Sequence, residues 1–277
     1  MCNRDCLSCS LDTRYPSDIV RPLCTPYANL KFLTYRMLLA TYFTVYLVIH
    51  LSTNIVHVQG LKVFIYLSDW TLILTTLYLV VAFLNGIADY AYYLQHGAYT
   101  ANSLFEPPIL FRLQWLLFSI CSITSLLISA SFWPTAGIDL PAGKIFENFN
   151  IHALPSIVLL IDLAVTAVPI RFGHVFYPLV YGAVYLVFAA VYWALGGTDP
   201  FGRHYIYGIL NFAHPKVILI VVFVEGLGAL VFQWVLAGLS LLRNKIAKEC
   251  NCAGRRNPET EDMPLTEMTV TMVATYS

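Results

Sequence analysis

The chain has 277 residues, 58% of them hydrophobic and 12% charged, and its sixteen Lys and Arg balance its sixteen Asp and Glu. A mean hydropathy of +0.68 is more apolar surface than one soluble core can hide. A net charge of zero offers no basic field for nucleic acid, so composition leaves an integral membrane protein.

Residues 1–32 form a polar cytoplasmic lead-in, in which Pro16, Pro22 and Pro26 interrupt any regular helix. Six apolar runs follow, at about 33–58, 63–84, 109–132, 151–168, 174–195 and 217–242. Each is near the ~20 residues that cross ~30 Å of hydrocarbon at ~1.5 Å per residue. Backbone groups in lipid must be satisfied internally, so runs of twice a barrel strand's length read as helices. No cleavage site precedes the first run, which is expected to act as an uncleaved anchor. The stretch 85–108 reads as a loop, with Tyr90, Tyr92 and Tyr93 at a membrane interface. In the fourth run Pro155 sets the start of the helix and leaves Asn150 and His152 at its outer mouth. Residues 243–277 are a polar tail expected to be disordered. The predicted fold is all-α, a six-helix transmembrane bundle at 33–242.

Arg4, Arg14, Arg21, Lys31 and Arg36 gather at the start of the chain, and Arg243, Lys245, Lys248, Arg255 and Arg256 at its end. With six spans, Arg112 and Arg171 join that side, while Lys62, Lys144, Arg203 and Lys216 lie opposite. Twelve against four places both termini in the cytoplasm by the positive-inside rule. The expected site is the plasma membrane rather than the endoplasmic reticulum. Six of the seven cysteines fall in the predicted tails, where a reducing compartment argues against disulfides. Cys2, Cys6 and Cys9 have loosely metal-like spacing without a nearby His, so no metal and no cofactor is expected. Cys250 and Cys252, just beyond a basic stretch, are candidates for lipidation, with unmodified thiols the alternative.

Ionisable residues inside a span are costly and usually face a bundle interior. Asp69, Asp162 and Glu225 qualify, and no Lys or Arg is expected within a span to pair with them. Ser68 and Asp69 near the start of the second span and His152 at the start of the fourth share a depth below the outer surface, with Asp199 and His204 in the last outer loop. A hydroxyl and an imidazole at one depth suggest a nucleophile and its base, Ser68 attacking and His152 taking its proton. Asp69 is a possible orienter and Asn150 a possible oxyanion donor. Equally, Ser68 can bond its own helix and His152 can cap one. Asp162 and Glu225, lying deeper, either line a proton path or fix helix packing by hydrogen bonds, close approach at Gly226 and Gly228 favouring packing.

Several spaced motifs resemble the rolling stone family: Tyr66-Leu67-Ser68-Asp69-Trp70, Leu160-Ile161-Asp162, Pro169 to His174, Tyr177-Pro178 with Tyr185, Gly196 to Pro200, and Tyr205-Ile206-Tyr207 with Asn211 and Pro215. The resemblance covers about residues 27–243. It implies a multi-pass membrane protein, with a founding member linked to myoblast fusion in insects. The family is in turn distantly similar to the androgen-induced membrane hydrolases, six-span enzymes that cleave fatty-acid esters of hydroxy fatty acids with an intramembrane Thr and a His. That similarity puts the nucleophile at Ser68, a Ser replacing Thr, and the base at His152. Two functions therefore stay open, a fusion or lipid-handling protein and a Ser/His hydrolase of lipid acyl esters. A proton-coupled transporter ranks last, for want of internal repeats. Membrane lipids are the expected partners; a membrane-protein partner or a second copy stays open.

Overall fold

The computed structural model describes residues 9–11, 16–25, 27–96, 108–135 and 140–250. Within them the chain forms α1 (Leu30–Thr53), α2 (Leu67–His96), α3 (Ile109–Thr135), α4 (Ala142–His152), α5 (Leu154–Val165), α6 (Phe176–Ala194) and α7 (Pro215–Glu249). Among the described residues the one strand-like pairing is an isolated bridge between Pro22 and Thr166. Five segments are long and apolar enough to cross a membrane: Leu30–Val58, Leu67–Gln95, Ile109–Thr135, Phe172–Ala194 and Pro215–Glu249. α4 and α5 meet at 40° and, counted together as one broken span, bring the number to six. The fold is all-α and multi-pass. We call the end that carries Leu30 and Glu249 the near end, and the other the far end.

α1 starts where Asn29 accepts a hydrogen bond from the Phe32 N–H at 3.0 Å, a side-chain cap for an otherwise orphaned donor. At its far end it continues as a π-helical turn, Asn54–Val58. The core lies between α1, α2, α3 and α5, around Phe43, Leu72, Tyr78, Trp115, Phe118 and Leu159. α6 and α7 lie at the periphery. Leu219, Phe223, Trp234 and Leu241 of α7 are at least two-thirds exposed, as helices solvated by acyl chains require.

The structure corrects the sequence-based boundaries in three places. The predicted loop at 85–108 is helical up to His96, because its polar residues have partners: Asn85 donates to Leu110 O and Gln114 Oε1 at 2.9 Å each, and Asp89 accepts the Ala28 N–H at 2.7 Å. Residues 142–150, expected as loop, form α4. The break behind it falls at Ala153, since Pro155 has no N–H to continue the ladder. The lead-in, finally, is packed rather than merely solvated. Ile19 and Val20 are fully buried, Leu23 N–H donates to Val165 O at 2.9 Å, and Ala167 N–H to Arg21 O at 3.2 Å. The thiols were expected reduced throughout, yet Cys24 is disulfide-bonded, while Cys9, Cys121 and Cys250 are free. Cys252 and the rest of the predicted tail lie outside the described residues.

α5 has twelve residues, about 18 Å at ~1.5 Å per residue, so its near end stops inside the bundle. Arg243 of α7 closes that end. Its NH1 donates to Leu163 O and Thr166 O at 2.7 Å each, and its NH2 to Val168 O at 3.1 Å and Ser240 Oγ at 3.0 Å. A cation at the carbonyl end of a helix also complements its dipole.

Candidate functional site

α1 carries a stripe of polar residues spaced by four, Tyr42, Tyr46, His50 and Asn54, which a 3.6-residue turn sets on one side of the helix. At the far end this stripe meets the start of α2 and the length of α4. His50 Nε2 lies 2.7 Å from Asp69 Oδ1, with both side chains buried. Asn54 Nδ2 lies 3.2 Å from His50 Nδ1 and donates to the His50 carbonyl at 2.9 Å, and its Oδ1 accepts from Gln59 at 3.1 Å. With the Asn54 amide placed by those bonds, His50 Nδ1 accepts, and Nε2 carries the proton toward Asp69. Glu147 of α4 stands 4.0 Å from the same Nδ1, and its carbonyl accepts from Tyr46 OH at 3.2 Å. Tyr42 OH donates to Asn150 Oδ1, and the Tyr46 ring lies along His50 with centroids 5.9 Å apart. Glu147 is the opening to the surface: its side chain is 35% exposed and pairs with Lys144 at 2.7 Å.

The predicted Ser68–His152 pair is not brought into contact. Adjacent residues on a helix point ~100° apart, so Asp69 faces His50 and Ser68 faces the hydroxyl of Tyr207. The His152 ring is stacked on Phe132 at 3.7 Å, its Nδ1 is buried without a partner, and its carbonyl accepts from Ser129. Among the described residues, then, the imidazole that Asp69 meets is His50 rather than His152, and Asn150 binds Tyr42. The sequence held a signal for His50 in the four-residue stripe and in its depth, which matches that of Asp69 on a neighbouring antiparallel span. No three His, Cys, Asp or Glu among the described residues gather as a metal site requires.

Asp162 has the basic partner that the sequence did not lead one to expect. α1 begins at Leu30, so Arg36 lies well inside it, and its NH1 is 2.6 Å from Asp162 Oδ2 with both side chains at 1% exposure or less. Tyr78 OH donates to the same oxygen, and Tyr35 OH to Oδ1 at 3.1 Å. The guanidinium lies 5.0 Å from the Phe32 ring centroid, while its Nε and NH2 have no hydrogen-bond partner. A carboxylate so enclosed ties α1, α2 and α5 together. Glu225 is half-buried and accepts from Ser131 of α3 at 2.8 Å. Of the two glycines beside it, only Gly228 makes a close approach: a Cβ there would meet Leu127 at 2.9 Å, whereas Gly226 has open space.

Asp199 and His204 sit apart from the His50 cluster, in the loop between α6 and α7. Asp199 accepts from the backbone N–H of Phe201 at 2.9 Å and of Arg203 at 2.8 Å, and from Arg203 Nε at 2.6 Å. Lys62 pins this turn to the α1–α2 connection through Thr198 Oγ1 at 3.0 Å and Asp199 O at 2.9 Å. Gly202 at φ 80° and Gly197, where a Cβ would strike the Tyr192 ring at 2.4 Å, let the chain turn back so tightly. His204 is exposed and meets the edge of Trp193 at 5.7 Å. Tyr207 roofs the start of α2, accepting the Leu67 N–H at 3.0 Å, and burial pushes its phenol up to about 12. Burial raises the Asp199 carboxyl too, but the Arg203 and Phe201 donors outweigh it and hold it below the usual carboxylate range. A depressed carboxylate stabilises above its unfolded value of about 3.9 and loses that contribution as pH falls through the lower folded value. Hydrogen exchange of residues 198–207, relative to the intrinsic rate at each pH, should therefore stay slow across neutral pH and speed up only in acid, below about pH 4. Asp199→Asn should speed it already at neutral pH.

The rolling stone family model, described as "Protein rolling stone", matches residues 25–253. "Protein rolling stone" of Drosophila melanogaster is 27% identical over 219 residues, which is 75% of this chain and 76% of that protein. No solved structure matches. The match takes in all seven helices, the His50–Asp69 pair and the Arg36–Asp162 pair, and the chain belongs to the rolling stone family.

Proposed function

We propose that this protein acts at the plasma membrane in cell–cell fusion, by engaging membrane lipid at the far end of its bundle, with the near end in the cytoplasm. The observation that carries this is the buried His50–Asp69 pair, edged by Glu147 and roofed by no folded ectodomain among the described residues. An adhesive interface needs about 800 Å² per partner, which is hard to build from turns such as 54–66 and the pinned loop 195–214. A shallow depression of about 270 Å³ between α1 and α2, lined by Ala40, Thr41, Thr44, Val45 and Val80, begins less than two turns below His50 and lies open to surrounding acyl chains. Exposed Cys250, at the end of α7, and Cys252 beyond it are acyl-anchor sites in this scheme. The test is a cell-mixing assay at matched surface abundance. His50→Gln is expected to lower fusion severalfold, while Ser68→Ala and His152→Ala leave it unchanged; unaltered fusion in His50→Gln would overturn the proposal.

A second function, an intramembrane hydrolase of lipid acyl esters, is favoured by one feature. A carboxylate on one imidazole nitrogen with the other left as acceptor is the arrangement of a general base and its orienter. No Ser or Thr hydroxyl among the described residues bonds His50, so Ser68 would have to turn from Tyr207. Ester hydrolysis by membranes of the wild type, lost in Ser68→Ala and His50→Gln, would put this function first.

A further inference from the structure

A second convergence of donors lies in the near half of the bundle, remote from His50. The chain between α5 and α6 runs back through the core, and the segment Cys9–Ser10 lies against it. Three side chains grip two successive carbonyls of that segment. Arg171 NH1 donates to Ser10 O at 2.8 Å, His174 Nε2 lies 3.1 Å from the same oxygen, and Tyr177 OH donates to Cys9 O. A carbonyl only accepts, so His174 Nε2 carries a proton. Ser119 Oγ, whose hydroxyl donates to Trp115 O at 2.8 Å, lies 3.2 Å from Nδ1 on the inner side of the ring, with the Nε2–H outward.

The cradle is built from beneath. Trp115 forms the floor, with the Arg171 guanidinium 4.8 Å over its ring, the His174 ring edge-on at 4.6 Å, and its own Nε1 donating to Pro169 O at 2.8 Å. Gln233 of α7 holds the Arg171 carbonyl at 2.5 Å. A guanidinium, an imidazole N–H and a phenol aimed at adjacent oxygens are the donor set that suits a phosphate, whose charge strengthens each bond beyond what a peptide carbonyl gives. The depth suits a lipid: Trp115 is six residues into α3, about 9 Å from its near end at ~1.5 Å per residue. Exposed Phe176 and Trp234 beside the cradle offer apolar contact to acyl chains.

We propose that Arg171, His174 and Tyr177 form a site for the phosphate of an anionic phospholipid of the near leaflet, which the Cys9 and Ser10 carbonyls fill in this structure. Lipid binding displaces the N-terminal segment from the cradle. The site is independent of the far-end function proposed above.

Native mass spectrometry of the delipidated full-length protein, offered phosphatidylserine and uncharged diacylglycerol together, tests it. The wild type is expected to retain phosphatidylserine preferentially, and Arg171→Gln to lower that preference roughly tenfold, as loss of a charge-assisted bond does. Tyr177→Phe, which removes one hydroxyl and leaves the fold intact, should lower it severalfold. Inorganic phosphate at the same concentration should not compete. Competition by phosphate as strong as by lipid would make this a free-phosphate site and overturn the lipid assignment. An unchanged preference in Tyr177→Phe, or in folded Arg171→Gln, would overturn the site itself.

Discussion

Asp162→Asn is expected to destabilise the bundle by about 3–5 kcal/mol, the cost of stranding a buried charge by removing its partner. Arg36 is fully buried, two of its three guanidinium nitrogens already lack hydrogen-bond partners, and Asp162 is the one carboxylate among the described residues that pairs with it. Asparagine keeps the shape and leaves the cation uncompensated. Replacing both residues by apolar ones of similar volume, Arg36→Met with Asp162→Leu, removes charge and counter-charge together. The double variant should therefore be more stable than Asp162→Asn alone. Thermal unfolding in detergent, followed by the monomer fraction on size exclusion, ranks the three proteins. A single variant as stable as the wild type would mean that the pair does not hold α1 to α5.

Arg243→Ala should cost about 3 kcal/mol, at ~1 kcal/mol for each of the three carbonyls it leaves unsatisfied. Leu163 O, Thr166 O and Val168 O close the near end of α5, where no water-exposed turn is available to replace the guanidinium. Arg243→Lys should recover only part of this, because one ammonium cannot reproduce a planar fork that serves carbonyls on both sides. The same unfolding assay reads both variants, and full recovery by lysine would show that charge alone matters at this position.

The membrane fold was legible because hydropathy and length speak directly about solvent: runs of about twenty apolar residues leave few alternatives to helices in lipid. Less legible were features decided by tertiary contact. Arg36 stands near the edge of an apolar run, where a basic residue usually marks cytoplasm, and only its ion pair with Asp162 of α5 shows that it turns inward. Asn85 and Asp89 look like loop residues until Gln114 and Ala28 satisfy them. At the candidate site, shared depth singled out Asp69 but not the rotation of the helix. Ser68 and Asp69 are neighbours in sequence, yet one faces Tyr207 and the other His50. His50 escaped notice because an isolated histidine in an apolar run has no local signature; the tyrosines four and eight residues before it carried the pattern instead.

Two buried aspartates thus differ: Asp162 ties helices of the bundle together, whereas Asp69 belongs to the function proposed at the far rim. Cell fusion measured for Asp69→Asn at wild-type surface abundance tests this most directly. The result expected is normal abundance and thermal stability within about 1 kcal/mol of wild type, since the His50 Nε2–H keeps a hydrogen bond to the amide oxygen, together with strongly reduced fusion. Full fusion at normal abundance would contradict it and leave His50 and Asp69 as packing residues.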